Sequence, residues 1–236
     1  MQIKNNEILC IGEVLWDRLP SGAKPGGAPM NVALHLNAIG QNVSIASRIG
    51  NDELGTELRS FLENSGLSTE FIQIDEHLPT SEVLVHLDEN NNATYEICEP
   101  VAWDNLELTD SLKTKAREAG LLVFGSLASR NPVSRSTIMQ LLEKDAVKLI
   151  DVNFRKPYDT QEVVEKLLEK TDIVKLNDDE LVAFAQWHNK HKHDEKSLMK
   201  WFAKQYNLKM VCVTRGEKGA FLFCDGEFYE HPGFKV

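Results

Sequence analysis

Apolar residues in this chain fall into short continuous runs separated by stretches of helical periodicity, a pattern that predicts buried strands alternating with amphipathic helices. Strands are expected over residues 8–12, 44–48, 121–125, 148–152, 173–176 and 210–214, with a further one over 220–224. Helical spacing begins at Met30 and runs through Val32, Leu34, Leu36 and Ile39 to stop at Gly40. It returns at about 50–64, 109–119, 136–144 and 161–169. Strand-helix alternation of this kind builds an α/β fold, a doubly wound and mostly parallel sheet with helices on both faces. One interval breaks the alternation. Residues 71–74, 81–87 and 93–99 are β-rich, and the last two flank the turn Asp88-Glu-Asn-Asn-Asn92. The expectation is a single domain over 1–236 with a small β lid at about 71–102, the alternative being an ordinary surface hairpin.

Composition narrows the function classes. At 236 residues and 42% hydrophobic content the chain can close one sizeable core. A net charge of −10 argues against a nucleic-acid partner, which needs clustered Lys and Arg. No apolar run is long enough to cross a bilayer, and Lys4, Asn5, Asn6 and Glu7 do not resemble a secretion signal, so no membrane partner and a cytoplasmic protein are expected. Cys10, Cys98, Cys212 and Cys224 stand far apart, which suits buried reduced thiols better than a zinc site. His188, His191 and His193 lie in a Lys- and Asn-rich segment and read as a solvated loop.

Candidate chemistry collects near the ends of strands, where open α/β sheets bind ligands. Pro25-Gly-Gly-Ala-Pro-Met-Asn31 joins two adjacent glycines, which admit a ligand close to the backbone, to a helix start carrying Asn31. Glu13, Trp16 and Asp17 follow the first strand, where an acidic residue is well placed to hold hydroxyl groups, the alternative being a carboxylate in a solvated loop. At the end of the strand over 148–152, Asp151, Asn153 and Arg155 alternate and face one way if the chain stays extended, with Arg155 able to stabilise phosphoryl charge. Lys175, Asn177 and Glu180 form a second set, although Asn-x-x-Glu before an apolar helix is also a capping box. Asp52 and Glu53 suit the start of a helix and carry no chemistry. The turn Thr214-Arg-Gly-Glu-Lys-Gly219 can cradle a nucleotide or simply reverse the chain. A dinucleotide-dependent oxidoreductase is set aside, because Gly12-Glu13-Val14 lacks the Gly-x-Gly-x-x-Gly of a pyrophosphate turn.

Taken together, Gly26-Gly27 with Asn31, Ala33, Gly40 and Gly50, then Asp151-x-Asn153-x-Arg155, Lys175-x-Asn177-x-x-Glu180 and Thr214-x-Gly216-x-x-Gly219, resemble in kind and order the motifs of the ribokinase-like (PfkB) carbohydrate kinases. The opening from Gly12 to Pro20 is most similar to bacterial fructokinases. The resemblance implies phosphoryl transfer from ATP, with Mg2+, to a sugar hydroxyl. Fructose is implied first, with 2-keto-3-deoxygluconate or ribose as alternatives. It also implies that Asp17, Gly26, Gly27, Asn31 and Asn153 hold the sugar, with Arg155 near the transferring group. Lys175, Asn177, Glu180, Thr214, Gly216 and Gly219 would hold the nucleotide, Glu180 reaching the metal indirectly through Mg-ATP. A homodimer through the β lid would follow. The family's catalytic aspartate lies in an Asp-Thr-x-Gly-Ala-Gly-Asp stretch, which does not occur between the Thr214 turn and Val236. The expectation is therefore an inactive or fragmentary form lacking the C-terminal part of the fold, or a non-catalytic sugar-binding protein derived from such a kinase.

Overall fold

The computed structural model describes residues 5–87, 93–190 and 194–234. The chain opens with β1 (Glu7–Ile11), β2 (Leu15–Leu19), β3 (Gly22–Gly26), α1 (Ala28–Ala38), β4 (Asn42–Gly50), α2 (Glu53–Asn64) and β5 (Ile72–Asp75). It continues with β6 (Ser81–Leu87), β7 (Ala93–Ile97), α3 (Asp110–Glu118), β8 (Leu121–Gly125), α4 (Pro132–Leu141), β9 (Val147–Asp151) and α5 (Gln161–Leu168). Last come β10 (Ile173–Asn177), α6 (Asp178–Trp187), α7 (Glu195–Gln205), β11 (Met210–Thr214), β12 (Ala220–Cys224) and β13 (Glu227–His231).

Nine strands form the main sheet in the order β13-β12-β11-β10-β9-β8-β1-β4-β5, parallel from β5 to β11 and antiparallel beyond. This is the doubly wound sheet expected from the apolar runs. Alternation along each strand sorts its residues between two cores. Leu9, Ile11, Leu122, Phe124, Ile150 and Val174 join one cluster with residues of α3 to α7, such as Leu112, Leu141, Leu167, Phe184 and Phe202. Cys10, Ile45 and Val123 join the other, with Met30 and Ala33 of α1 and Leu58 and Leu62 of α2. Helix α2 starts as expected, with Asp52 accepting Gly55 N–H at 2.7 Å.

A second sheet has the order β3-β2-β6-β7, and here the sequence reading needs correction. Residues 71–74 are expected in the lid, yet β5 is the edge of the main sheet, pairing with β4 (Ser47 opposite Ile72) and held by Asp75, which lies 2.9 Å from Arg48. The strands that replace it come from the stretch that reads as a loop, where β2 and β3 form a hairpin and β2 runs parallel to β6. A short β-rich run does not name its partner, and Leu15 to Leu19 is too short and too mixed for its alternation to register. The turn 88–92 lies outside the described residues.

Two contacts fix the small sheet to the body. Trp16 donates its indole N–H to the Leu54 carbonyl at 3.1 Å. Arg130 donates to the Cys98 carbonyl just past β7 at 2.9 Å, to both oxygens of Asp104 at 2.7 Å, and packs between Trp103 and Tyr158. Both partners of this ion pair are 4% exposed, and Asp104 also accepts the Val101 N–H at 3.1 Å. Two-pronged geometry with extra hydrogen bonds is the condition under which a buried charge pair is tolerated. The histidine segment also differs from expectation. His188 ends α6 with its Nε2 2.8 Å from Glu165 and 3.0 Å from the Tyr206 hydroxyl, packed on Trp201, and so is a structural residue and not part of a solvated loop. His191 and His193 lie outside the described residues. Of the four free cysteines only Cys10 is buried, the other three being partly exposed.

Candidate active site

Strand order diverges at β1, since the chain goes to β4 and β5 on one side and to β8 through β11 on the other. Open α/β sheets bind ligands at such a point, outside the carboxyl ends of the strands. A cavity of about 550 Å³ lies there. Its polar lining is Glu13 after β1, Asp17 on β2, Asn31 on α1, and Asn153 and Arg155 after β9. Leu15, Leu19, Val83, Ile97 and Leu127 supply the apolar part, so the small sheet forms one wall.

Local backbone explains how these groups meet. Gly27 has φ 120°, and a β-carbon there would collide with the Glu13 carbonyl, so glycine lets α1 begin directly against the end of β1. Gly26, expected to touch the substrate, is instead the buried last residue of β3, paired with Leu15, where a β-carbon would strike the Asp17 carboxylate. Its part is to make room for Asp17. Asn153 adopts φ 45°, which bends the chain after β9. The expected extended alternation of Asp151, Asn153 and Arg155 therefore fails. Asn153 and Arg155 line the cavity, while Asp151 receives Lys175 Nζ at 2.8 and 2.9 Å.

Charge in the cavity is unusual. Glu13 is 2% exposed, accepts the Ala28 N–H at 3.1 Å through Oε1, and has no partner for Oε2 among the described residues. Burial pushes its carboxyl up to about 7, against the backbone hydrogen bonds and the nearby Arg155, which favour the charged form. Asp17 is also raised by burial and also opposed by Arg155. Sequence alone places Glu13 beside Asp17 as a carboxylate able to hold hydroxyl groups, and does not show that it is buried or that it receives the Ala28 N–H. The available signal is an acidic residue placed directly after a buried strand.

The second set of residues is organised differently, and none of it lines this cavity. Asn177 caps α6, its Oδ1 accepting Glu180 N–H at 2.8 Å, while Glu180 Oε2 accepts Asn177 N–H at 2.8 Å. The other oxygen of Glu180 accepts Phe154 N–H, also at 2.8 Å, so this 6% exposed carboxylate clamps the loop after β9 to the start of α6. The expectation for Glu180 is a link to a metal; here both oxygens are taken by backbone N–H groups. Among the described residues no group of three or more His, Cys, Asp or Glu gathers as a metal site. Thr214 stands beside Asn177 in register, its hydroxyl 3.4 Å from the Leu176 carbonyl. Gly216, at φ 56°, opens a 3-10 turn with free space above it. Gly219, at φ 83°, sits where a β-carbon would collide with the His231 carbonyl, so the return of β13 already requires glycine there.

Residues 22–236 match the pfkB family carbohydrate kinase family. The chain belongs to the PfkB family. Among its relatives, a probable fructokinase-4 of Arabidopsis thaliana is 30% identical over 234 residues, covering 90% of this chain and 70% of that protein. An uncharacterized sugar kinase from Pyrococcus horikoshii, solved in complex with ATP, is 27% identical with a TM-score of 0.81, covering 97% of this chain and 78% of that one. The fructokinase of Xylella fastidiosa with bound ATP superposes with a TM-score of 0.85 at 22% identity, over 98% of this chain and 75% of that chain, a likeness of fold. This PfkB chain is thus a carbohydrate kinase by family, with a ribokinase-like sheet and a small second sheet over its cavity. No helix among the described residues is long and apolar enough to cross a membrane.

Proposed function

We propose that this PfkB protein binds fructose in the cavity and serves its phosphorylation by ATP. The observation that carries the reading is the set of polar groups facing one cavity of small-molecule size: Asp17, Asn31, Asn153 and Arg155, beside an apolar wall. A sugar presents hydroxyls that donate and accept together with C–H faces, which is what two amides, carboxylates and leucines can satisfy. Fructose is preferred over 2-keto-3-deoxygluconate and ribose on the names of the relatives. Arg155 is the group we assign to the transferring phosphoryl, whose charge a guanidinium stabilises. Lys175, Asn177, Thr214, Gly216 and Gly219 are assigned to ATP, which brings Mg2+ as part of the substrate. Glu180 acts behind them as the clamp on α6.

A second reading, a sugar-binding protein derived from such a kinase, is favoured by the state of the nucleotide set, whose Lys175, Asn177 and Glu180 are already bonded within the chain while the polar groups of the cavity are not. A coupled ADP-release assay with fructose, glucose, ribose and 2-keto-3-deoxygluconate, run beside calorimetric binding, separates the readings. Slow release stimulated most by fructose supports the kinase, binding without release supports a sugar-binding protein, and the absence of sugar binding overturns both.

A further inference from the structure

Helix α1 starts without the usual support. Its N-cap is Gly27, which has no side chain to accept a first-turn N–H, and its first turn holds no acidic residue. The N–H groups at a helix start need acceptors, and the dipole there favours negative charge. One acceptor arrives from outside the helix, since Glu13 Oε1 receives the Ala28 N–H. This is a costly way to cap a helix, because a buried carboxylate with one oxygen unpaired loses hydration that a serine or asparagine cap would not forfeit. The helix start it supports carries Gly27, Ala28 and Asn31 of the cavity wall, and Glu13 lines the same cavity.

Building on the sugar-site reading above, we propose that Glu13 is a positioning residue whose carboxylate fixes the first turn of α1, so that sugar affinity follows the charge on Glu13. Every group facing it bears on that charge. Arg155 favours the ionised form and Asp151, itself paired with Lys175, opposes it. Asp17 shares the cavity, and the first turn of α1 contributes no charged group. Because burial brings Glu13 up to about 7, its charge changes in the ordinary working range. The sign follows directly: the grip on Ala28 is strongest above that value and is lost as pH falls through it. Affinity should level off above about pH 8 and fall by about tenfold in all as pH drops below about 7.

The test uses the whole chain and two readouts. In the unmodified protein, the Ala28 amide proton shift is followed against pH. A midpoint near 7, absent in Glu13→Gln, is the expected result. A shift that does not move between about pH 5.5 and 8.5 overturns the proposal, whatever binds in the cavity. Calorimetric titration with fructose over the same range should then show the slope in the unmodified protein. Glu13→Gln should bind about tenfold more weakly at pH 8 and lose the slope, because a charged acceptor is stronger than a neutral amide. Equal affinities of the two proteins at every pH would overturn the positioning role. If neither protein binds any sugar, the sugar-site reading fails, and the amide titration still decides whether Glu13 holds α1.

Discussion

The two ends of the sheet's carboxyl edge use their polar residues in opposite ways. Around the cavity, Asp17, Asn31 and Asn153 make no side-chain hydrogen bond within the chain among the described residues, and Arg155 donates only to the Phe154 carbonyl. Along β10 and β11, Lys175, Asn177, Glu180 and Thr214 are all engaged by the chain itself. Asn31 and Arg155 are exposed and Asp17 and Asn153 half-buried, so solvent can satisfy all four, and a ligand entering the cavity can take its place without breaking a bond within the chain. Motif spacing alone treats both ends alike; the hydrogen-bond inventory distinguishes them. The ends are also joined, because Glu180 holds Phe154 between the two cavity residues Asn153 and Arg155.

That joint is where the comparison can be broken most sharply. Glu180→Ala removes the acceptor for two backbone N–H groups and half of a capping box, each worth roughly 1–3 kcal/mol. We expect a loss of about 3 kcal/mol, a melting temperature lower by on the order of 10 °C, and weaker fructose binding through the loosened loop. Thermal melting with calorimetry checks this. An unchanged melt with loss of ATP binding alone would place Glu180 in the nucleotide site and erase the distinction drawn here.

An effect of similar size should appear in the pH dependence of stability. Glu13 has a folded value of about 7 against an ordinary 4.5, so the folded state holds its proton more tightly than the unfolded chain. Its favourable contribution is complete below about 4.5 and is lost as pH rises to about 7, which makes the fold less stable at neutrality by an amount of order 3 kcal/mol. Denaturant titrations of the unmodified protein and Glu13→Gln across this range should diverge in slope. Parallel curves would mean that Glu13 is not desolvated in the folded protein.

What is legible in the sequence follows from how parallel sheets are built. Strands buried on both faces read as near-continuous apolar runs, and β1, β8, β9, β10 and β11 are therefore expected within a residue or so of their observed limits. The hairpin β2–β3 escapes that pattern because one side faces a cavity and mixes Leu15 with Asp17, and β5 goes to the wrong sheet because strand partners lie far apart in sequence. The capping box, the alternative reading of Asn177 and Glu180, is present, yet the bond from Phe154 crosses 26 residues and no local pattern announces it. Helix α7 lies hidden in a Lys-rich stretch, although Leu198, Met199, Phe202 and Ala203 make its buried face. Glu13 is noticed as an acidic residue after β1, but its character comes from burial, which residue type does not reveal.

The central claim is that the cavity beside α1 is the sugar site. The direct measurement is calorimetric titration of fructose into the unmodified protein and into Asp17→Ala, with melting curves of both. Asp17 makes no hydrogen bond within the chain among the described residues, so its removal should leave the melting temperature within about 2 °C. Fructose affinity should fall by about one to two decades, the equivalent of a hydrogen bond to a charged group. Equal affinity in the two proteins would contradict the account.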